Sequence, residues 1–295
     1  MYGVAPPEYP LNELLLSAPV QHGKSELLRF YGSCYQQLTR YQLLTRSSLT
    51  CSVQRVNNCN SPITVVTQME IIDHIPLEFN LTELSRNLRP QRLRDELTPI
   101  VERARPLIEP KAAYTTSHVT GFENGVVYLE NGHALRSLVL EDMLELGQEV
   151  MPFVVTIGPK LDAEISGEKN MIRSYLLDRI GNYAVRTART YLKLRAEGRL
   201  RSGLGSVSQF SPGETGAGEL FGIEQQTPLF QILEPATESI GVHLSSSLMM
   251  IPQKSSSGLF AVTEQEYEAC FYCPRQGCEG RRAPYVGEYE RLKHA

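Results

Sequence analysis

The chain predicts an α+β fold, in which helices are grouped between strands rather than alternating with them. Three observations predict it. Short β-rich runs flank Asn-Gly turns, at Glu123-Asn124-Gly125 and again at Asn131-Gly132. Both residue types tolerate positive φ, as tight hairpins require. An apolar stripe of Ile172, Leu176, Ile180, Tyr183, Val185, Ala188 and Leu192 marks one long helix, from Asn170 to Glu197. More strands follow that helix, so the order is strands, helices, strands.

In chain order, residues 1–22 are irregular and rich in Pro and Tyr, an arm whose Leu14, Leu15 and Leu16 need a surface to cover them. Leu27, Tyr31, Cys34, Leu38 and Tyr41 form one face of a helix over Ser25–Leu44, with Cys34 on its core side. Residues 46–62 are mostly polar and carry Cys51 and Cys59. Ile63–Thr67 and Glu70–Ile75 read as strands, the second stopped by Pro76. Leu97, Ile100, Val101 and Ala104 predict a short helix, with Thr98 and Pro99 in its first turn and Pro106 after it. Strands His118–Phe122 and Val126–Leu129 form the first hairpin. Leu138–Leu146 reads as a helix capped by Ser137 and stopped by Gly147. Val150–Ile157 is a buried strand. After the long helix, Ser202–Gly222 is rich in Gly and Ser, but follows no βαβ strand and so is no phosphate loop. A helix over Gln226–Leu233 and strands Ile240–Leu244 and Leu259–Val262 complete the core.

Composition narrows the function. Of 295 residues, 41% are apolar and 21% charged, an ordinary globular balance. The net charge of −4 offers no basic field for a nucleic-acid backbone. No apolar run nears the roughly 20 residues of a membrane helix. The N-terminus lacks the basic and apolar regions of a leader, so a cytoplasmic setting is expected. The arginines of the long helix, Arg173, Arg179, Arg186, Arg189 and Arg195, read as a solvated face.

Six cysteines are too few for a disulfide scaffold. Three of them form Cys270-x2-Cys273-x4-Cys278, with Pro274 and Gly277 at the turns the loop needs. Thiolates this close repel unless a metal or a nearby positive charge holds them. Arg275, Arg281 and Arg282 add positive charge, which suits an anionic iron–sulfur cluster, expected as [4Fe–4S]. Zinc is the alternative and needs a fourth ligand, from Cys51, Cys59 or His243. The spacing differs from the CxxxCxxC of radical enzymes.

A set of pieces resembles the reactivation domain of cobalamin-dependent methionine synthase, and more closely its stand-alone relatives in corrinoid metabolism. They are Ile108-Glu109-Pro110-Lys111-Ala112 with Tyr114, Thr156-Ile157-Gly158-Pro159 with Leu161-Asp162, Leu177-Asp178 with Ile180-Gly181, and Ser211-Pro212-Gly213. Gln225-Gln226, Leu229-Phe230, Ile240-Gly241-Val242, Met249-Met250-Ile251-Pro252, Lys254-Ser255 and Ser257-Gly258 complete the set. The resemblance spans about residues 65–282, and a C-terminal Cys-x2-Cys-x4-Cys is a feature of the stand-alone relatives.

The resemblance implies a curved antiparallel sheet with flanking helices. It divides the chain into an N-terminal arm and helix (1–60), an α+β domain (61–265) and a metal-binding C-terminal segment (266–295). It also implies docking on a corrinoid protein or methyltransferase subunit, within a hetero-oligomeric complex, to return an inactive corrinoid to use. Ser211, Pro212, Gly213, Met250, Lys254 and Ser255 are the cofactor-binding residues it implies. In the family an Arg precedes the Ser-Pro-Gly turn and a Tyr follows it, and both touch S-adenosylmethionine. Gln209 and Glu214 stand there in this chain. A Gln lacks the guanidinium fork for a carboxylate and a Glu repels one, so binding of S-adenosylmethionine is not expected. The bland reading of Met249, Met250 and Ile251 is core packing.

Overall fold

A computed structural model describes residues 69–290, apart from 87, 89–90, 201–204, 215–219 and 279. The predicted arm, the helix over Ser25–Leu44, the strand Ile63–Thr67 and the thiols Cys34, Cys51 and Cys59 lie outside the described residues.

The chain begins with β1 (Glu70–Ile72), α1 (Leu81–Ser85) and α2 (Gln91–Ala104). β2 (Lys111–Tyr114), β3 (Ser117–Glu123), β4 (Val126–Leu129) and β5 (Ala134–Arg136) follow. Next come α3 (Leu138–Met143), β6 (Glu149–Thr156), α4 (Lys160–Gly167), α5 (Met171–Leu200) and β7 (Ser206–Phe210). The last elements are α6 (Gln226–Ile232), α7 (Ala236–Ser239), β8 (His243–Leu244), β9 (Met250–Ile251) and β10 (Ser255–Thr263). The α+β expectation holds, and every strand pairing is antiparallel.

β6 is the middle of the sheet. Seven of its eight residues are buried, as the run Val-Met-Pro-Phe-Val-Val predicts for a strand covered on both faces. β10 pairs along one edge of β6, and β7 along the outer edge of β10. β2 and the start of β3 pair in succession along the other edge. The break between them lies opposite Pro152, which has no N–H to give; its carbonyl still accepts from Thr115 N at 3.1 Å. β3 then leaves β6 to pair with β4, through a bulge between Val119 and Gly121. There the sheet curves. The hairpin turn has Asn124 at φ 50° and Gly125 at φ 80°, as the Asn-Gly pair requires.

Alternation along the strands sends Met151, Phe153 and Val155 to one face and Val150 and Val154 to the other. α5 covers the first face. Ala188, Leu192, Ala196 and Leu200, spaced by four, lie against Phe153 and Phe260, whose rings stack at 4.2 Å. The N-terminal half of α5 packs instead on α1, α2 and α4 through Leu176, Leu177, Ile180 and Ala184. α6 and α7 cover Ala113 and Val154 on the opposite face.

Several elements differ from expectation. α2 starts at Gln91, not near Leu97, and holds Pro99 inside it. Leu93, Leu97, Ile100, Val101 and Ala104 form one continuous face against α5, and that burial outweighs the proline. α3 ends at Met143, where Leu144 N bonds back to Leu140 O. Ile240 closes α7 rather than opening a strand, so only His243–Leu244 pair. β1 stops at Ile72, and β10 runs from Ser255, earlier than Leu259. β7 lies within the Gly- and Ser-rich stretch, and the sequence reading also missed α1, α4 and β5.

The Tyr114 hydroxyl donates to Glu70, which pairs with Arg199. Burial first, and Glu70 second, push the Tyr114 phenol up to about 12 from 10.0. Between these values the unfolded chain sheds a proton that the folded chain keeps. The stability present below pH 10 is therefore lost as pH rises through that window, at roughly 1.4 kcal/mol per unit. Tyr114→Phe should flatten this part of the curve in urea unfolding followed from about pH 9 to about pH 12. An unchanged slope would refute the assignment.

Candidate functional site

The Ser211-Pro212-Gly213 turn follows directly from β7. Gly213 has φ 69°, and its N–H donates to Phe221 O at 2.9 Å, which closes the loop. Gln209 Nε2 donates to Ser211 Oγ at 2.9 Å. The turn lies hard against β10. A Cβ on Gly258 would clash with Phe210 O and come within 2.8 Å of Ser211 Oγ. Ser257-Gly258 is thus a backbone approach that the turn requires.

Lys254 and Ser255 lie four and three residues before Gly258 on the chain. Lys254 lays its stem across Gly181 and donates to Asp178 Oδ1 at 2.5 Å and Asn182 Oδ1 at 2.9 Å. Its side chain is only 12% exposed. Ser255 Oγ donates to Pro252 O at 2.7 Å and shares a hydroxyl–hydroxyl hydrogen bond with Thr156 Oγ1 at 2.9 Å. Both residues are committed to holding β10 against α5 and β6. Met250 lies in the small β8–β9 hairpin and packs toward Val154 on the other face of the sheet. Its neighbours Met249 and Ile251 are 58% and 42% exposed, so core packing does not account for them.

The C-terminal segment packs onto the sheet. Tyr267 stacks on Phe210 at 4.8 Å, and Tyr272 meets Tyr289 edge-on at 5.0 Å. A short 3-10 turn, Ala269–Tyr272, carries Cys270, and Cys273 ends it. Cys270 and Cys273 are buried, and Cys278 is half-buried. Among the described residues no three His, Cys, Asp or Glu side chains are gathered as a metal-binding group.

Two arginines organise this loop. Arg281 Nη1 donates to Cys270 O and Ala283 O, while Nη2 donates to Cys273 O and Arg275 O. One guanidinium thus fixes both ends of the cysteine turn by its carbonyls. Arg282 Nε and Nη2 grip the Glu268 carboxylate at 2.7 to 3.0 Å. Glu268 Oε1 in turn accepts from Cys270 N at 3.1 Å, and Arg282 N donates to Cys270 Sγ at 3.5 Å.

Arg282 also reaches the Ser-Pro-Gly turn. Its Nη2 lies 2.6 Å from Glu214 Oε1, and Arg189 Nη1 of α5 lies 3.7 Å from the same oxygen. The turn and the cysteine loop, read as separate signals in the sequence, thus meet at one ion network. Burial opposes the charge on Arg282, but Glu268 and Glu214 outweigh it and raise its pKa. Burial also opposes ionisation of Glu268, and Arg282 again outweighs it, lowering the pKa. Burial lowers the pKa of Arg189, against the pull of Glu214.

This corrects the solvated-face reading for Arg179 and Arg189, while Arg173 and Arg195 are exposed as that reading expected. The Arg189 side chain is 15% exposed. Arg186 pairs with Glu83, and Arg179 donates to Leu84 O and Arg86 O. Arg179, Arg186 and Arg189, with Tyr175, Asn182, Ser256 and Gly280, line a cleft of about 290 Å³ between α5, β10 and the cysteine loop. The sequence reading noted Arg281 and Arg282 as charges for a cluster. It missed Glu268 and Arg189, which no local spacing marks.

No family model matches the chain, and no curated protein matches it. Among solved structures it is similar to the MetH reactivation domain bound to AdoHcy, at 14% identity and a TM-score of 0.49, over 65% of this chain and 72% of that one. No described helix is long and apolar enough to cross a membrane.

Gly258→Ala forces the β10 backbone and the Ser-Pro-Gly turn apart, because the obstacles are a carbonyl and a hydroxyl held in place. We expect a loss of about 1–3 kcal/mol, read by urea unfolding. A change within about 0.5 kcal/mol would show that the turn yields freely.

Proposed function

We propose that this chain is an accessory protein that docks on a corrinoid-dependent methyltransferase, or on its corrinoid protein, and supports reductive reactivation. In this reading Cys270, Cys273 and Cys278 hold an iron–sulfur cluster. The observation that carries it is the cysteine loop: three thiols within nine residues, two of them buried, on a turn clamped by Arg281. The donor set suits a thiophilic metal, and a backbone N–H already reaches the Cys270 sulfur, as thiolate ligands of clusters commonly find.

When bound, such a cluster supplies one-electron transfer. The chain's own residues do the rest. Glu268 caps the Cys270 N–H, Arg281 holds the Cys270 and Cys273 carbonyls, and Tyr267, Tyr272 and Tyr289 pack beside the turn in the same core cluster as Ala269. In this reading the half-buried Cys278 side of the loop is the one that meets the partner.

The resemblance of residues 65–282 to corrinoid reactivation domains supports the choice of partner. Use of S-adenosylmethionine is not part of the proposal. Gln209 bonds to Ser211, and Glu214 faces Arg282 and Arg189, so neither offers a site for the amino acid moiety.

Iron, sulfide and zinc content, measured with a visible spectrum on protein purified without oxygen, tests the reading. About four irons and four sulfides with absorption at about 400 nm are expected, and Cys273→Ser should lose at least about tenfold of that iron. One zinc and no colour would overturn it in favour of a structural zinc subunit. Protein that binds no metal, or a Cys273→Ser variant with full iron, would overturn the metal site altogether.

A further inference from the structure

We propose that Arg282 is a positioning residue that couples the cysteine loop to the Ser-Pro-Gly turn, so that the order of each depends on the other. The link is short and continuous. Cys270 N bonds to Glu268, Glu268 is gripped by Arg282, and Arg282 Nη2 meets Glu214, the residue that ends the turn. The Glu214 N–H bonds back to Ser211 O at 3.3 Å, so its backbone is part of the turn itself. The Arg282 main-chain N–H touches the Cys270 sulfur while its side chain holds both carboxylates. One residue therefore senses the loop at its backbone and the turn at its side chain.

The network has few other anchors. Glu214 has Arg189 beyond Arg282, at the longer distance of 3.7 Å. Moving Arg282 leaves two carboxylates facing a single half-buried guanidinium, a costly arrangement where water is scarce. Release of the loop must therefore loosen the turn, and release of the turn must loosen the loop, because a coupling between two sites acts equally in both directions. The consequence for the molecule is that a change at the cysteine loop is felt at Arg189, which lines the cleft between α5 and β10.

Hydrogen exchange on the full chain tests this, since it reads local opening segment by segment. In Glu214→Gln, amides over Glu268–Cys273 should exchange about fivefold faster or more. In Glu268→Gln, amides over Ser211–Glu214 should quicken to a similar degree. Helix α4, whose Leu161 and Ile165 pack in a different core cluster from Phe210, Phe221 and Tyr267, should keep its wild-type rates in both. Glu214→Asp retains the charge and should fall between wild type and Glu214→Gln, which separates coupling from general misfolding. If each substitution loosens only its own segment, or if all segments quicken alike in Glu214→Asp, the coupling does not exist. The readout needs no metal, so a failed iron assay and a failed exchange assay refute different statements.

Discussion

The pairing of β10 with β6 is the constraint on which the rest depends. Through seven residue pairs it fixes where the chain returns after its long excursion through α5, β7, α6 and α7. β7 is placed only by pairing with β10, and the Ser-Pro-Gly turn is placed by β7. Gly258 sets how closely that turn approaches. The C-terminal segment leaves from the end of β10 and is held by Phe210 stacking on Tyr267 and by Ser208 accepting from Tyr267 N at 2.8 Å. Everything at the candidate site thus hangs from one antiparallel ladder, whose buried face costs about 3–5 kcal/mol per large aromatic removed.

The fold was legible where a pattern is local. The Asn-Gly hairpin needed only positive φ at two neighbouring residues, and the α5 stripe needed only a 3.6 period. β6 announced itself as a continuous apolar run because both of its faces are covered. What was not legible depends on partners far away in the chain. β7 has two large apolar residues, Val207 and Phe210, among Ser and Gln, and is a strand because β10 lies beside it. α2 looked like a short helix starting around Thr98 and Pro99, and its earlier turns are visible only once α5 gives Leu93 a surface.

The same division runs through the candidate site. The cysteine spacing and the Ser-Pro-Gly turn could be read directly, because each is a local geometry. Lys254 read as a ligand-binding group, yet its ammonium is taken by Asp178 and Asn182, which lie more than 70 residues away in sequence. Glu214 read as a substitution hostile to a ligand carboxylate. Its structural use became visible only with Arg282, 68 positions on. Charges carry no period that reveals whom they will meet.

A buried ion network of this kind is poor evidence for stability, because desolvating four charges offsets most of their attraction. Its value lies in geometry. Arg282 has a planar fork, and its two carboxylates must sit where that fork points. A lysine there would satisfy the charges without fixing their directions. The same reasoning applies to Arg281, whose donors reach four carbonyls that no apolar side chain could hold. Among the described residues this network lies where the Ser-Pro-Gly turn and the cysteine loop meet, and it gives the two a defined relation. Elsewhere the sheet and α5 are held mainly by apolar contact, and Arg103 and Arg179 tie helix to helix from more exposed positions, through carboxylates or helix-end carbonyls. That contrast sets the junction of turn and cysteine loop apart from the rest of the described structure, and it is there that the proposed function is to be tested.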